Sequence, residues 1–297
     1  MKTKSLILLL IPTQILTAQI FTENTNTPFD GVRFGSLAFS DVNSDGHNDV
    51  LITGLTGTSD RIAKLYTNDG TGTFTEVTGT PFDGVWESSI AFSDVNSDGH
   101  DDVLITGRNS SSQYIAKLYT NDGTGNFTEM TGNTFDGVIW GSIAFSDVNG
   151  DGHDDVLITG EKSLGERIAK LYTNDGTGTF TEMTDTSFDG VWYSSIAFSD
   201  VNADGHEDVL ITGENGSSQY IAKLYTNDGT GTFTEMTSPP FAGVGLGSIA
   251  FSDVNADGHD DILITGEISS GVRIAKMYTN DGTGTFTEMT DIPFDGV

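Results

Sequence analysis

The chain has 297 residues, 36% of them hydrophobic, and a formal net charge of -30 from 43 acidic against 13 basic side chains. So acidic a balance excludes a nucleic-acid partner, which requires a basic footprint. The absence of cysteine excludes disulfide stapling, thiol catalysis and zinc–thiolate sites. Stability must therefore come from burial and from whatever neutralises the carboxylates.

At the N-terminus, Lys2 and Lys4 precede an apolar run from Leu6 to Ile11, and Thr17-Ala18 closes it. This is the pattern of a secretory signal peptide over residues 1–18. The run is too short to cross a membrane, and no later one approaches that length. The sequence thus predicts a secreted or cell-surface protein with no membrane insertion.

From residue 29 the chain repeats itself every 53 residues, as 29–81, 82–134, 135–187, 188–240 and 241–293. The second repeat illustrates the elements. Strand A is expected over 89–93, strand B over 102–106, strand C over 114–120 and strand D over 127–131. Gly107 closes strand B. The turn Asn121-Asp-Gly-Thr-Gly125 between C and D is a hairpin signal, because these residues tolerate positive φ. No window has helical periodicity. Four strands recurring at this length predict an all-β fold, a β-propeller of four-stranded antiparallel blades over 19–297, five of them complete. Stacked blades bury both faces of each sheet, which suits strands that read as near-continuous apolar runs. Lys64, Lys117, Lys170, Lys223 and Lys276 are placed opposite Glu76, Glu129, Glu182, Glu235 and Glu288 as structural cross-strand pairs.

Between strands A and B lies an acidic loop with oxygen side chains at positions 1, 3, 5 and 9 and Gly at 6. The five copies are Asp41, Asn43, Asp45, Asp49; Asp94, Asn96, Asp98, Asp102; Asp147, Asn149, Asp151, Asp155; Asp200, Asn202, Asp204, Asp208; and Asp253, Asn255, Asp257, Asp261. Alternate side chains turn inward and Gly permits the sharp bend, as in a loop that wraps Ca2+. Position 7, occupied by His47, His100, His153, His206 and His259, offers its backbone carbonyl; the imidazoles are expected to be solvated. Position 12 is Ile throughout, so the bidentate Glu of an EF-hand is missing. About one Ca2+ per repeat is expected.

The combined run Ala-Phe-Ser-Asp-Val-Asn-x-Asp-Gly-His-x-Asp-[Val/Ile]-Leu-Ile-Thr-Gly, followed by Tyr-Thr-Asn-Asp-Gly-Thr-Gly-x-Phe-Thr-Glu, resembles the FG-GAP/VCBS repeat. That family includes integrin α-subunit propellers and exported bacterial proteins and lectins. The resemblance implies a β-propeller with calcium in the A–B loops, most often seven-bladed. Asn at position 3, where the family often has Asp, implies weaker affinity.

The ends depart from this pattern. Residues 19–25 match a strand D without its blade, and 294–297 match the start of another repeat. The simplest account is a stretch of a larger propeller; a five-bladed ring with a spare strand is the alternative.

The repeats differ from one another mainly in two windows. One is the D–A connection: Arg33-Phe34, Trp86-Glu87, Ile139-Trp140, Trp192-Tyr193 and Gly245-Leu246. The other is the B–C loop, ending at Arg61, Tyr114, Arg167, Tyr220 and Arg273. In a meander both windows fall on the face opposite the acidic loops, which themselves change mainly at positions 4 and 8. Exposed aromatics beside polar groups suit a glycan or a cell-surface protein. The candidate ligand-binding residues are Phe34, Arg61, Trp86, Tyr114, Trp140, Arg167, Trp192, Tyr193, Tyr220 and Arg273; the other reading packs these aromatics between blades. No nucleophile–base constellation is apparent, so the chain reads as a binding or adhesion module, or else a structural spacer, rather than an enzyme.

Overall fold

The computed structural model describes residues 24, 27–163, 165–237, 239–269 and 272–290. The expected signal peptide, nearly all of the lone strand D and the start of a further repeat lie outside the described residues. Each repeat folds as one antiparallel meander. The first unit comprises β1 (Val32–Arg33), β2 (Leu37–Ser40), β3 (Asp49–Thr56), β4 (Arg61–Asn68) and β5 (Phe74–Val77). The second has β6 (Val85–Ser93), β7 (Asp102–Asn109), β8 (Tyr114–Asn121) and β9 (Phe127–Glu129); the third β10 (Ile143–Ser146), β11 (Asp155–Lys162), β12 (Glu166–Asn174) and β13 (Phe180–Glu182). In the fourth are β14 (Val191–Ser199), β15 (Asp208–Asn215), β16 (Tyr220–Asn227) and β17 (Phe233–Glu235), and in the fifth β18 (Gly245–Ser252), β19 (Asp261–Ser269), β20 (Val272–Asn280) and β21 (Phe286–Glu288). Strand A begins four residues earlier than expected in the second and fourth units, and strand D ends two residues sooner.

The core is divided among the junctions between units. Val103 and Ile105 of β7 pack backwards with Val42, Leu51 and Leu65 of the first unit. Leu104, on the other face of the same strand, packs forwards with Val156 and Ile158 of β11. The pattern recurs at the next two junctions. The Val-Leu-Ile run of strand B is therefore apolar at three successive positions because both of its faces are buried, and each such side chain contributes about 1.5–3 kcal/mol.

The two ends lack this cover. Leu37 of β2 is 60% exposed, whereas its counterparts Ile90, Ile143, Ile196 and Ile249 are 7–8% exposed. Val254 is 51% exposed against 0–1% for Val42, Val95, Val148 and Val201. Among the described residues, no unit precedes the first or follows the fifth, so one apolar sheet face is open at each end.

Two details of the C–D hairpin differ from expectation. Glu129 stands opposite Tyr119, not Lys117; Lys117 reaches it diagonally, at 2.9 Å, and also holds Asp83 at 2.9 Å. Lys64, Lys170 and Lys223 bridge in the same way to Asp30, Asp136 and Asp189, while the fifth repeat has Ala242 at that place. In the turn, positive φ falls on Gly123 and Gly125 rather than on Asn121 or Asp122. Asn121 instead donates from Nδ2 to the Val42 carbonyl of the preceding unit, and Asn174, Asn227 and Asn280 do likewise.

Candidate axial site and acidic loops

Residues 34, 87, 140, 193 and 246 lie 53 apart, near the start of strand A in their units. All five have left-handed φ, from 47° at Tyr193 to 54° at Leu246. In the second unit the register slips between Trp86 and Ser89, with parallel slips in the fourth and fifth, and in the first and third units the residue falls in a break between two pairings with strand B. A bulge re-aims the side chain it carries. Gly107, at φ 144°, faces this bulge from strand B, and a Cβ there would lie 2.9 Å from the Trp86 carbonyl oxygen. That close approach explains the Gly after every Val-Leu-Ile-Thr run.

The consequence is convergence. Phe34, Glu87, Trp140, Tyr193 and Leu246 line one cavity of about 380 Å³, together with small residues such as Ser88 and Ser194. The axis residues are chained by backbone bonds: the Glu87 amide donates to the Phe34 carbonyl at 2.6 Å, and Trp140 donates to Glu87 at 3.1 Å. The Phe34 and Trp140 rings meet edge-on at 5.2 Å, and the Trp140 and Tyr193 rings are tilted at 5.1 Å. Glu87 is only 9% exposed, and its Oε2 has no hydrogen-bond partner. Burial pushes its carboxyl above the usual range, while Arg108 and Arg61 pull it back.

The other candidate residues do not line this cavity, although the Trp86 ring meets Phe34 and the Trp192 ring meets Tyr193. Trp86 and Trp192 sit one place earlier in their repeats, beneath Arg61 at 5.5 Å and Arg167 at 4.9 Å of the preceding units. Arg61 also donates to the Asn109 carbonyl, and Arg167 pairs with Glu214 at 3.1 Å. Tyr114 stacks under Arg108. The Tyr220 ring fills the space beside Gly245, where other repeats carry a larger residue. Arg273 is exposed and stands opposite Glu267. The three Trp therefore split between an axial position and an inter-unit position.

At the far end of strand A, the position-1 carboxylate folds the acidic loop around itself. Asp94 accepts from the Asp98 and Gly99 amides at 3.0 and 2.8 Å, and Asn96 accepts from Asp98 at 2.9 Å. Position 9 is buried, and Asp102 Oδ1 accepts from the Asn121 amide at 2.8 Å. Burial, aided by the carboxylates at positions 5 and 1, pushes Asp102 up to about 7 and Asp155 and Asp208 to about 6. Among the described residues, no group of three or more His, Asp or Glu is drawn together tightly enough to hold a metal. The donor set nevertheless fits a hard cation: it is all oxygen, and it contains a buried carboxylate with no countercharge.

Positions 4 and 8 are contacts between units. Position 4 has positive φ in every repeat, and the Ser44 and Ser97 hydroxyls there meet His100 and His153 of the following units at 3.3 and 3.1 Å. Asp101 and Asp154, at position 8, accept from Ser40 and Ser93 of the preceding units at 2.7 Å, and Asp260 from Ser199 at 2.9 Å. Glu207 replaces Asp in the fourth repeat, and there the Ser146 hydroxyl is buried without a partner. At position 7, His47 and His206 are exposed, while His100, His153 and His259 are half-buried. Each lies over the turn glycine of its own repeat, so that a Cβ on Gly70, Gly123, Gly176, Gly229 or Gly282 would come within 2.3–2.5 Å of the ring. None of these contacts was legible from one repeat alone, because each joins two elements distant in sequence.

The chain belongs to the FG-GAP-like repeat family, whose pattern matches residues 41–105, 94–158, 147–211 and 200–264. Among curated proteins none matches by sequence. Its fold is similar to that of an Aleuria aurantia lectin variant solved with alpha-methyl-L-fucoside: TM-score 0.50 at 12% identity, over 86% of this chain and 78% of the lectin. A biofilm matrix protein of V. cholerae gives 0.46 at 15%, over 90% of this chain, which spans 40% of that protein's length. For a thermostable family-43 glycoside hydrolase the values are 0.45 at 9%, over 92% and 98%. No helix among the described residues is long and apolar enough to cross a membrane.

Proposed function

We propose that the chain is an exported, calcium-binding β-propeller module that binds glycans at the axial cavity, on the face opposite its acidic loops. The observation that carries this reading is the convergence of residues 34, 87, 140, 193 and 246, one from each unit, on a single aromatic-walled cavity. Left-handed backbone at Phe, Glu, Trp, Tyr and Leu costs about 1–2 kcal/mol at each position, and such strain collects where function requires it. Sugar rings stack on aromatic walls through their C–H faces. The cavity carries one carboxylate, Glu87, whereas glycoside hydrolysis uses a pair, which favours binding over catalysis.

On this reading the units are propeller blades and residues 1–18 direct export. The side chains at loop positions 1, 3, 5 and 9, with the carbonyl of position 7, hold Ca2+, which neutralises their charge and braces the junction between strands A and B.

A glycan array probed with the calcium-loaded protein and with Trp140→Ala tests the axial site. Wild type should bind a defined set of glycans, and the variant should lose them while keeping its circular dichroism spectrum. Binding that survives in Trp140→Ala overturns the site. Absence of any glycan binding by wild type leaves a structural spacer, a role suited to the open apolar faces at both ends.

A further inference from the structure

We infer that the axial cavity selects a protonated amine, and that its glycan ligand carries a free amino sugar whose ammonium group sits against Glu87. This rests on the glycan reading above and specifies its chemistry. Three observations carry it.

The first is the state of Glu87. Glu87 lines the cavity, is nine-tenths buried and leaves Oε2 without a hydrogen-bond partner. A buried anion in that condition costs stability unless something cationic reaches it. The second is that the nearby cations, Arg108 and Arg61, act on Glu87 through space and form no ion pair with it. Arg61 is stacked over Trp86 and bonded to the Asn109 carbonyl, while Arg108 is stacked over Tyr114 at 5.9 Å. Glu161 lies near enough to add its own negative charge to the field at Glu87. The third is the wall. Phe34, Trp140 and Tyr193 surround the same cavity, with ring centroids 5.1–5.2 Å apart along the chain of contacts. Aromatic faces attract ammonium groups through their quadrupole, most strongly where water is excluded. One unpaired carboxylate among aromatic faces, in a cavity within the size range of small-ligand sites, is a receptor for an organic cation.

The site also predicts an opposition between stability and binding. Glu87→Gln keeps the shape of the side chain and removes an unpaired buried charge. It should therefore raise the melting temperature of the ligand-free protein while weakening the ligand. A Glu87 that served the fold by pairing with Arg108 would do the reverse.

The test is titration calorimetry of the whole protein with a tetramer of β-linked glucosamine and with the same tetramer fully N-acetylated. Wild type is expected to bind the amine form about tenfold more tightly than the acetylated form. Glu87→Gln should abolish that preference and raise the melting temperature, and Trp140→Phe, a second variant that retains an aromatic wall, should keep the preference. Equal binding of both tetramers, or a melting temperature lowered by Glu87→Gln with the preference intact, overturns the inference and leaves the glycan reading standing. Binding of tetramethylammonium at this cavity, with no binding of either tetramer or of any arrayed glycan, overturns the amino-sugar assignment together with the glycan reading. If neither the tetramers, the arrayed glycans nor tetramethylammonium binds, both readings fall.

Discussion

At the scale of single residues, the repeats act as controls for one another. Ser40, Ser93 and Ser199 donate to an Asp of the following unit, while Ser146 faces Glu207 and has no partner. One extra methylene displaces the carboxylate from the hydroxyl. Glu207→Asp is therefore expected to stabilise the protein by about 1 kcal/mol, the net value of one hydrogen bond, and to raise the melting temperature by about 2–4 °C. Ser146→Ala should be near neutral in the natural sequence, whereas Ser93→Ala should destabilise. A thermal scan in which both Ser variants lose the same stability would contradict this. The orphaned hydroxyl belongs to tertiary structure: Asp and Glu are interchangeable as surface acids, and only the inter-unit distance separates them.

At the scale of elements, the C–D turn and the acidic loop make separate predictions. The Thr124 hydroxyl and amide, with Asn126, hold the Asp122 carboxyl down at about 2. A depressed native value means that this contribution is complete above the unfolded value near 4 and is lost as pH falls toward 2. The stability difference between wild type and Asp122→Asn, measured by urea midpoints, should thus shrink from pH 5 to pH 2; a constant difference would remove the charge from the explanation. For the acidic loop, Ca2+ binds the folded state and relieves clustered carboxylates, so it should raise the melting temperature more than equal Mg2+ does. Asp98→Ala should remove one calorimetric calcium site and leave the others, with affinities of about 10⁻⁴–10⁻³ M for extracellular modules of this kind. Equal melting in calcium and in chelator would refute the calcium assignment. The strands themselves were readable because apolar runs bounded by Gly and Asn-Asp-Gly carry their own signal. The bulge at the start of strand A was not, since its left-handed residues are Phe, Glu, Trp, Tyr and Leu, which give no local sign of positive φ.

At the scale of the whole molecule, the open faces at the two ends are complementary, because they correspond to the two sides of every internal junction. A face built on Leu37 and Phe39 and another built on Val254 and Met289 are exposed. Heterologous contacts of this kind join copies head to tail. The 297-residue chain is expected to show a sedimentation mass that rises with concentration, and Val254→Lys should hold it at the monomer. A monomer at every concentration would show that those faces are covered within the chain.

The sequence by itself determined the repeat length, the four strands of each unit, the all-β class and the oxygen-rich loops, because those features are written in local spacing and recur five times. Tertiary structure alone decided which variable residues act together. Phe34, Glu87, Trp140, Tyr193 and Leu246 line one cavity because the chain is left-handed at that position in each unit, while Trp86 and Trp192, one position earlier, stack under arginines of the preceding units. A shift of one residue along an extended chain changes the face on which a side chain lies. Which face lines the cavity depends on how neighbouring sheets pack, and a linear sequence does not contain that distance.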